Sequence, residues 1–264
     1  MSFLISPEEL KGLIGKDDVK LVDARRREDY LQGHINQAIS IPIHDVIRAL
    51  DAESLRKLFS SKGISQEDTV VVYDDEKGVY AGRVAWSLEY IGHKKVKLLD
   101  LSYSDLIKHE YYNNKISKEE EKFKEGKLDI NLNESILANL EFVKGLIESR
   151  DGFIIDVRER LNYLEAHIPT AQTMPWKVFI GDKKLFKDAD RIKRLLFNRG
   201  IMQDSNIVTY CGGAGTLSGI SFYALRLAGF SKVRLYVRSF LEWKELNLPV
   251  EVVKDANYWD LSAY

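Results

Sequence analysis

Ile207-Val208-Thr209-Tyr210-Cys211-Gly212-Gly213-Ala214-Gly215-Thr216-Leu217-Ser218-Gly219 is the stretch from which the fold can be read. An apolar β-type run leads into the only cysteine of the chain. Three of the next four residues are glycine, and a helical pattern follows from Ile220 to Leu227. Strand, tight loop and helix N-terminus together form a geometry that binds anions. The curled backbone points its N–H groups inward, and the helix dipole adds positive potential. A lone cysteine is commonly a buried, inert core residue. A plain core strand would not run into three glycines, however. Cys211 is therefore expected at the mouth of an anion nest, as a reactive thiol.

Composition narrows the function classes. The chain has 264 residues, enough for one large domain or two ordinary ones. Its formal net charge is -1 with both signs interspersed, which gives no electrostatic case for nucleic acid or an anionic membrane. No apolar run approaches the roughly 18 residues that span a bilayer. Met1-Ser2-Phe3-Leu4-Ile5-Ser6-Pro7-Glu8 lacks the basic and long apolar regions of a signal peptide, so a soluble, cytoplasmic protein is expected. One cysteine leaves no internal disulfide and no cysteine-based metal site, and the five histidines form no ligand cluster in the sequence. Neither a metal nor a cofactor is expected.

The chain repeats itself. Leu21-Val22-Asp23-Ala24-Arg25, Tyr30, His34-Ile35, Ala38 and Pro42 match Ile154-Ile155-Asp156-Val157-Arg158, Tyr163, His167-Ile168, Ala171 and Pro175 at an offset of 133. Val70-Val71-Val72-Tyr73-Asp74 then matches Ile207-Val208-Thr209-Tyr210-Cys211, Gly82 matches Gly219, and Gly92 matches Gly229, all at an offset of 137. Each copy alternates short β-branched strands with helices. In the first copy these are strands at 19–23, 39–41, 69–73 and 96–99, and helices at 28–32, 43–58 and 82–91. That pattern predicts an α/β fold of two tandem domains, each a mostly parallel sheet with helices on both faces. The expected division is an inactive first domain, 1–114, a charged linker, 115–127, and a catalytic second domain, 128–264. A helix is predicted over 136–147, started by Asn133-Glu134-Ser135. Ligands on such sheets bind at the carboxyl ends of strands, where Cys211 stands.

With these residues placed, the sequence resembles the tandem-domain rhodaneses, the thiosulfate and 3-mercaptopyruvate sulfurtransferases. The elements are Asp-x-Arg…Tyr…His-Ile-Pro…Ala at 156–171, its twin at 23–38, and the Tyr-Cys-Gly-x-x-Gly-Thr loop at 210–216. The tail adds Tyr236, Ser239, Glu242-Trp243 and Leu248-Pro249-Val250-Glu251. The resemblance implies two rhodanese-like domains, with the nucleophile in the second. Asp74 stands where Cys211 stands and cannot accept sulfur. Its loop, Asp75-Glu76-Lys77-Gly78-Val79-Tyr80, is charged and bulky, unlike a nest for an anion.

The implied chemistry has two steps. The Cys211 thiolate attacks the outer sulfur of thiosulfate and becomes a persulfide, and an acceptor such as cyanide or a thiol then removes that sulfur. The amides of Gly212, Gly213, Ala214, Gly215 and Thr216 are expected to hold the anionic sulfur. The Thr216 hydroxyl caps the helix or bonds the sulfur. Asp156 and Arg158 form a structural ion pair that supports the loop, a reading favoured by the identical Asp23 and Arg25 in the copy without a nucleophile. His34 and His167 are expected to be structural for the same reason. Trp176 walls the pocket or belongs to the core.

Where the animal enzymes carry a second, donor-binding arginine there is Asn162, and Val237-Arg238 replaces an Asp-Gly of the tail. Arg238 is the favoured substitute for that charge, with Arg160 and Lys177 as other candidates and a solvated surface arginine as the alternative for Arg238. Two functional alternatives stay open, a 3-mercaptopyruvate sulfurtransferase and a non-catalytic persulfide carrier. A phosphatase with a Cys-x5-Arg loop is disfavoured, because the sixth residue after Cys211 is Leu217.

Overall fold

A computed structural model describes residues 2–254. The chain forms two compact units: Met1–Asn133 with Asp182–Leu185, and Glu134–Gly181 with Phe186–Tyr264.

The strands in chain order are β1 (Leu4–Ile5), β2 (Val19–Asp23), β3 (His34–Ile35), β4 (Ile39–Ser40), β5 (Thr69–Tyr73), β6 (Val96–Leu99) and β7 (Ile116–Ser117) in the first unit. The second has β8 (Phe153–Asp156), β9 (Gln172–Thr173), β10 (Ile207–Tyr210) and β11 (Val233–Leu235). The first unit's sheet runs β1-β6-β5-β2-β4 and the second's β11-β10-β8-β9, with every pairing in both parallel. The order β6-β5-β2-β4 is thus repeated as β11-β10-β8-β9. Even the edge of the first sheet has a trace in the second: Leu4 pairs with Leu98, and Leu137 bridges Leu235 in parallel.

The central strands explain the layering. Val70 to Tyr73 and Ile207 to Tyr210 are buried at every position, so both faces of each sheet are covered. Helices Val79–Tyr90 and Thr216–Leu227 are correspondingly apolar nearly all round and buried along most of their length. Each begins from a left-handed glycine, Gly78 at φ +80° and Gly215 at φ +70°, which turns the chain from the strand end into the helix.

Three expectations differ in detail. The helix over 43–58 is two helices, Ile43–Arg48 and Ala52–Ser61, because Asp51 caps a new start by accepting from Ser54 N. The helix over 136–147 is Leu140–Ser149, capped by Asn139. Leu137 and Ala138 are drawn out of it by the sheet, where Ala138 N donates to Leu235 O at 3.0 Å. The charged segment 115–127 is not a free connector. It pairs as β7 with β3, antiparallel, and Gly126 N donates to Ser60 O at 2.8 Å. A Cβ at Gly126 would lie 2.1 Å from Ile64 O, so the close approach needs glycine. Residues 128–133 continue along the first unit, Asn131 N and Asn133 N donating to Ile91 O and Tyr90 O, and the units divide at 133/134. Charged side chains left the segment looking solvated, while its backbone groups found partners. No helix among the described residues is long and apolar enough to cross a membrane.

Candidate active site

Cys211 follows β10 at its carboxyl end and is itself 3% exposed. Its backbone is fixed on both sides by one segment: Cys211 N donates to Ser239 Oγ at 3.1 Å, and Phe240 N donates to Cys211 O at 3.1 Å. Ser239 adopts φ +55°, a left-handed conformation that costs a non-glycine residue on the order of 1 kcal/mol. The neighbouring Gly212 is exposed, and a Cβ placed on it would meet nothing within 4 Å, so the loop is open at its mouth. A Cβ on Gly213 would touch Leu241 at 3.4 Å, which makes half-exposed Leu241 a wall beside the loop.

Two hydroxyls approach the sulfur. Ser218 Oγ lies 3.5 Å from Cys211 Sγ and Ser239 Oγ lies 3.8 Å from it. Ser239 also lies 2.7 Å from Tyr236 O, and a hydroxyl has one proton to give. The shorter bond takes it, leaving Ser218 as the donor to sulfur.

The first unit shows what such a loop does with an anion. Asp74, at the position of Cys211, is buried, and its carboxylate accepts four backbone N–H bonds. Glu76 N and Gly78 N donate to Oδ1 at 3.0 and 2.8 Å, and Tyr80 N and Ala81 N donate to Oδ2 at 2.8 Å each. The charged, bulky loop is thus a nest after all, filled by its own carboxylate, since side-chain bulk outside does not alter where the amides point. Burial pushes the Asp74 carboxyl up to about 6, against the downward pull of these amides. At the offset of 137 the four donors correspond to Gly213, Gly215, Leu217 and Ser218. The two loops share the left-handed glycine and the helix start, and only the first holds a carboxylate.

Asp156 and Arg158 form a buried pair, with Arg158 Nη2 and Asp156 Oδ2 2.6 Å apart. Arg158 also donates to Ala166 O at 2.7 Å and lies over the Phe240 ring, 4.1 Å from its centroid. Tyr210 OH donates to Asp156 Oδ2 at 2.6 Å and accepts from Ile168 N at 3.2 Å. Burial and then the Asp156 charge hold the Tyr210 phenol well above its ordinary value, so it remains a donor. Burial opposes the Arg158 charge, yet the Asp156 hydrogen bonds and charge leave its guanidinium above the ordinary value. The first unit repeats the arrangement with Asp23, Arg25, Tyr73 and Tyr103. His34 and His167 repeat one another as well, each holding a tyrosine carbonyl through Nδ1 at 2.8 Å and stacking on that tyrosine's ring.

The other anticipated residues are less concentrated. Trp176 opens a short turn, Trp176–Val178, that packs against helix Thr216–Leu227, with Trp176 N donating to Val157 O at 2.9 Å. Lys177 pairs with Glu159 at 2.8 Å, and Arg160 starts helix Arg160–Glu165. Arg238 is held by Glu242 at 3.0 Å and Glu245 at 2.7 Å. It lines a cavity of about 290 Å³ with residues 137–141, Tyr236, Val237 and Glu242, and none of that lining comes from residues 211–216. Ser218, Ser239 and Leu241 were not anticipated as site residues. Ser218 had one sequence signal, a polar residue facing Ala81 in the twin copy.

The rhodanese-like domain family matches residues 6–109 and 139–246. A thiosulfate sulfurtransferase of Pseudomonas aeruginosa is 26% identical, the alignment covering 96% of this chain and 98% of that protein. A 3-mercaptopyruvate sulfurtransferase of Escherichia coli is 25% identical, covering 96% and 99%. The crystal structure of SseA from Escherichia coli, described as a 3-mercaptopyruvate sulfotransferase of the rhodanese fold, superposes with a TM-score of 0.78 at 22% identity, covering 89% of this chain and 98% of that one. Two matches placed in tandem on two sheets of one strand order identify this chain as a member of the rhodanese-like domain family, with one such domain in each unit.

Proposed function

We propose that the protein is a sulfurtransferase that moves sulfane sulfur from thiosulfate to a thiol or cyanide through a persulfide on Cys211. The observation that carries this reading is the clasp on Asp74. A carboxylate oxygen lies two bonds beyond Cβ, and so does the outer sulfur of a cysteine persulfide. The amides that hold Asp74 in one copy therefore correspond to amides of Gly213, Gly215, Leu217 and Ser218 at an outer sulfur on Cys211. This donor set shares Gly213 and Gly215 with the one read from the loop alone, and extends it one turn into the helix.

In the first step the Cys211 thiolate attacks the outer sulfur of thiosulfate. The S–S bond of the donor breaks, sulfite leaves with the bonding pair, and the charge passes to the outer sulfur of Cys211–S–S⁻. In the second step cyanide or a thiolate attacks that sulfur, and the Cys211 thiolate is released. A ring of fixed N–H donors steadies the anion in both states without reorganising. The Asp156–Arg158 pair acts beneath this loop through Tyr210 and Phe240, as a support. Trp176, in the turn that packs on helix Thr216–Leu227, is a candidate pocket wall, and Arg160 is a candidate for the donor's anionic group. Arg238 suits that task less, since its guanidinium already faces two carboxylates.

The relative named for 3-mercaptopyruvate and the absence of any cation among residues 212–216 favour 3-mercaptopyruvate as the second donor to test. Parallel assays of thiocyanate release from cyanide, with thiosulfate and with 3-mercaptopyruvate, separate the two. Wild type should turn over at least one donor and Cys211→Ser neither. Release from neither donor by wild type would refute the enzyme reading.

A further inference from the structure

Helix serines commonly return their hydroxyl to the carbonyl one turn back. Ser221 does so to Leu217 O at 2.8 Å, and Ser87 in the twin helix does so to Arg83 O at 2.9 Å. Ser218 does not. It is fully buried in the first turn of helix Thr216–Leu227, and its hydroxyl is given to Cys211 Sγ at 3.5 Å. Burying a hydroxyl is unfavourable without a partner, so this contact accounts for a polar residue at a core position. The counterpart of Ser218 at the offset of 137 is Ala81, in the copy that has no thiol. Ala81 gives the nest only its backbone N–H, so at this position the hydroxyl is what the cysteine-bearing copy adds. A second addition supports the first. Thr209, whose counterpart is Val72, is buried and donates its hydroxyl to Ser218 O at 3.2 Å. Ser239, the other hydroxyl near the sulfur, has already given its proton to Tyr236 O.

We propose that Ser218 is the positioning residue of Cys211: its hydroxyl donates to the sulfur, sets the direction in which the sulfur points and steadies its anionic form. The inference rests on Cys211 being the sulfur acceptor, and it extends that reading to a residue outside the loop. Ser218 forms no bond to substrate. It acts on the rate of the first step by holding Sγ where an incoming donor sulfur can be attacked in line.

The test uses the full-length chain and needs no sulfur donor. Alkylation of Cys211 by iodoacetamide is followed against pH for wild type, Ser218→Ala and Ser218→Thr. Ala81 shows that alanine is accommodated at this place in the helix. Ser218→Ala should move the alkylation profile to higher pH and slow alkylation at pH 7 by about three- to tenfold, the size expected for loss of one ordinary hydrogen bond. Ser218→Thr, which keeps the hydroxyl, should restore the wild-type profile. In turnover assays Ser218→Ala should lower kcat and leave the donor KM within twofold. An alkylation profile of Ser218→Ala that overlays wild type overturns the proposal, as does a Ser218→Thr profile that follows alanine while circular dichroism matches wild type. If wild type transfers no sulfur, the sulfurtransferase reading fails by that result alone, and the alkylation profiles still decide the role of Ser218.

Discussion

Arg158 and Arg25 do the same work in two places. Each guanidinium reaches its aspartate at 2.6 Å, donates to a backbone carbonyl eight residues on, and lies over an aromatic ring. Removing one partner of a buried pair leaves the other uncompensated. Arg158→Ala and Arg25→Ala should therefore each lower the unfolding free energy by about 3 kcal/mol in urea titrations. Matched losses are the signature of a support. An Arg158→Ala protein as stable as wild type but unable to transfer sulfur would instead make Arg158 a contact for the donor. The pairing was legible in the sequence, because an identical Asp-x-Arg stands at the same place in the copy without a nucleophile. The contact between Ser218 and the sulfur was not legible as a site. It depends on which way a side chain turns at the first turn of a helix, and periodicity does not carry that direction.

The loop between strand and helix is the element that separates the two copies. In the first, Asp74 sits buried in a ring of four N–H donors, and burial outweighs them. The sign of its effect on stability follows. Its folded value, about 6, lies above the ordinary 3.8, so the fold favours the protonated carboxyl. Its contribution is complete below about pH 4 and is lost as pH rises through about 6, a difference on the order of 3 kcal/mol. Asp74→Asn removes the titrating group. Wild type should lose stability relative to Asp74→Asn between pH 4 and pH 6 in paired thermal melts, and the difference should be flat above pH 7. A difference that does not change with pH would show that the four amides fully offset the burial. The sequence made the second loop visible through its glycines. It hid the first, because Glu76, Lys77 and Tyr80 suggest bulk, while Lys77 at φ +53° and Gly78 at φ +80° together carry the left-handed turn. The donors to the nest come from backbone at four positions, of which only two are glycine in the second copy, so residue type could not list them.

Across the whole chain the repeat was the most readable feature. Identities at fixed spacing showed two copies of one strand–helix alternation before any strand was seen, and mostly parallel sheets covered on both faces follow from β-branched runs alternating with helices, while the strand order came only with the structure. The change of offset from 133 to 137 measures an insertion of 137 − 133 = 4 residues between Pro175 and Ile207. Asp182–Leu185, four residues in that interval, groups with the first unit. Segment 115–133 was the least readable, for it is ordered by main-chain bonds to Ser60, Ile91 and Tyr90 and by glycine contact at Gly126. Such bonds leave no mark in side-chain composition.

One cysteine in two homologous units predicts one sulfur per chain. Intact-mass spectrometry after incubation with thiosulfate or 3-mercaptopyruvate, without reductant, reads this directly. Wild type should gain about 32 Da, one sulfur atom, lost again on adding cyanide, and Cys211→Ser should gain nothing. A wild-type protein whose mass does not change with either donor, or an adduct that survives in Cys211→Ser, would contradict the account.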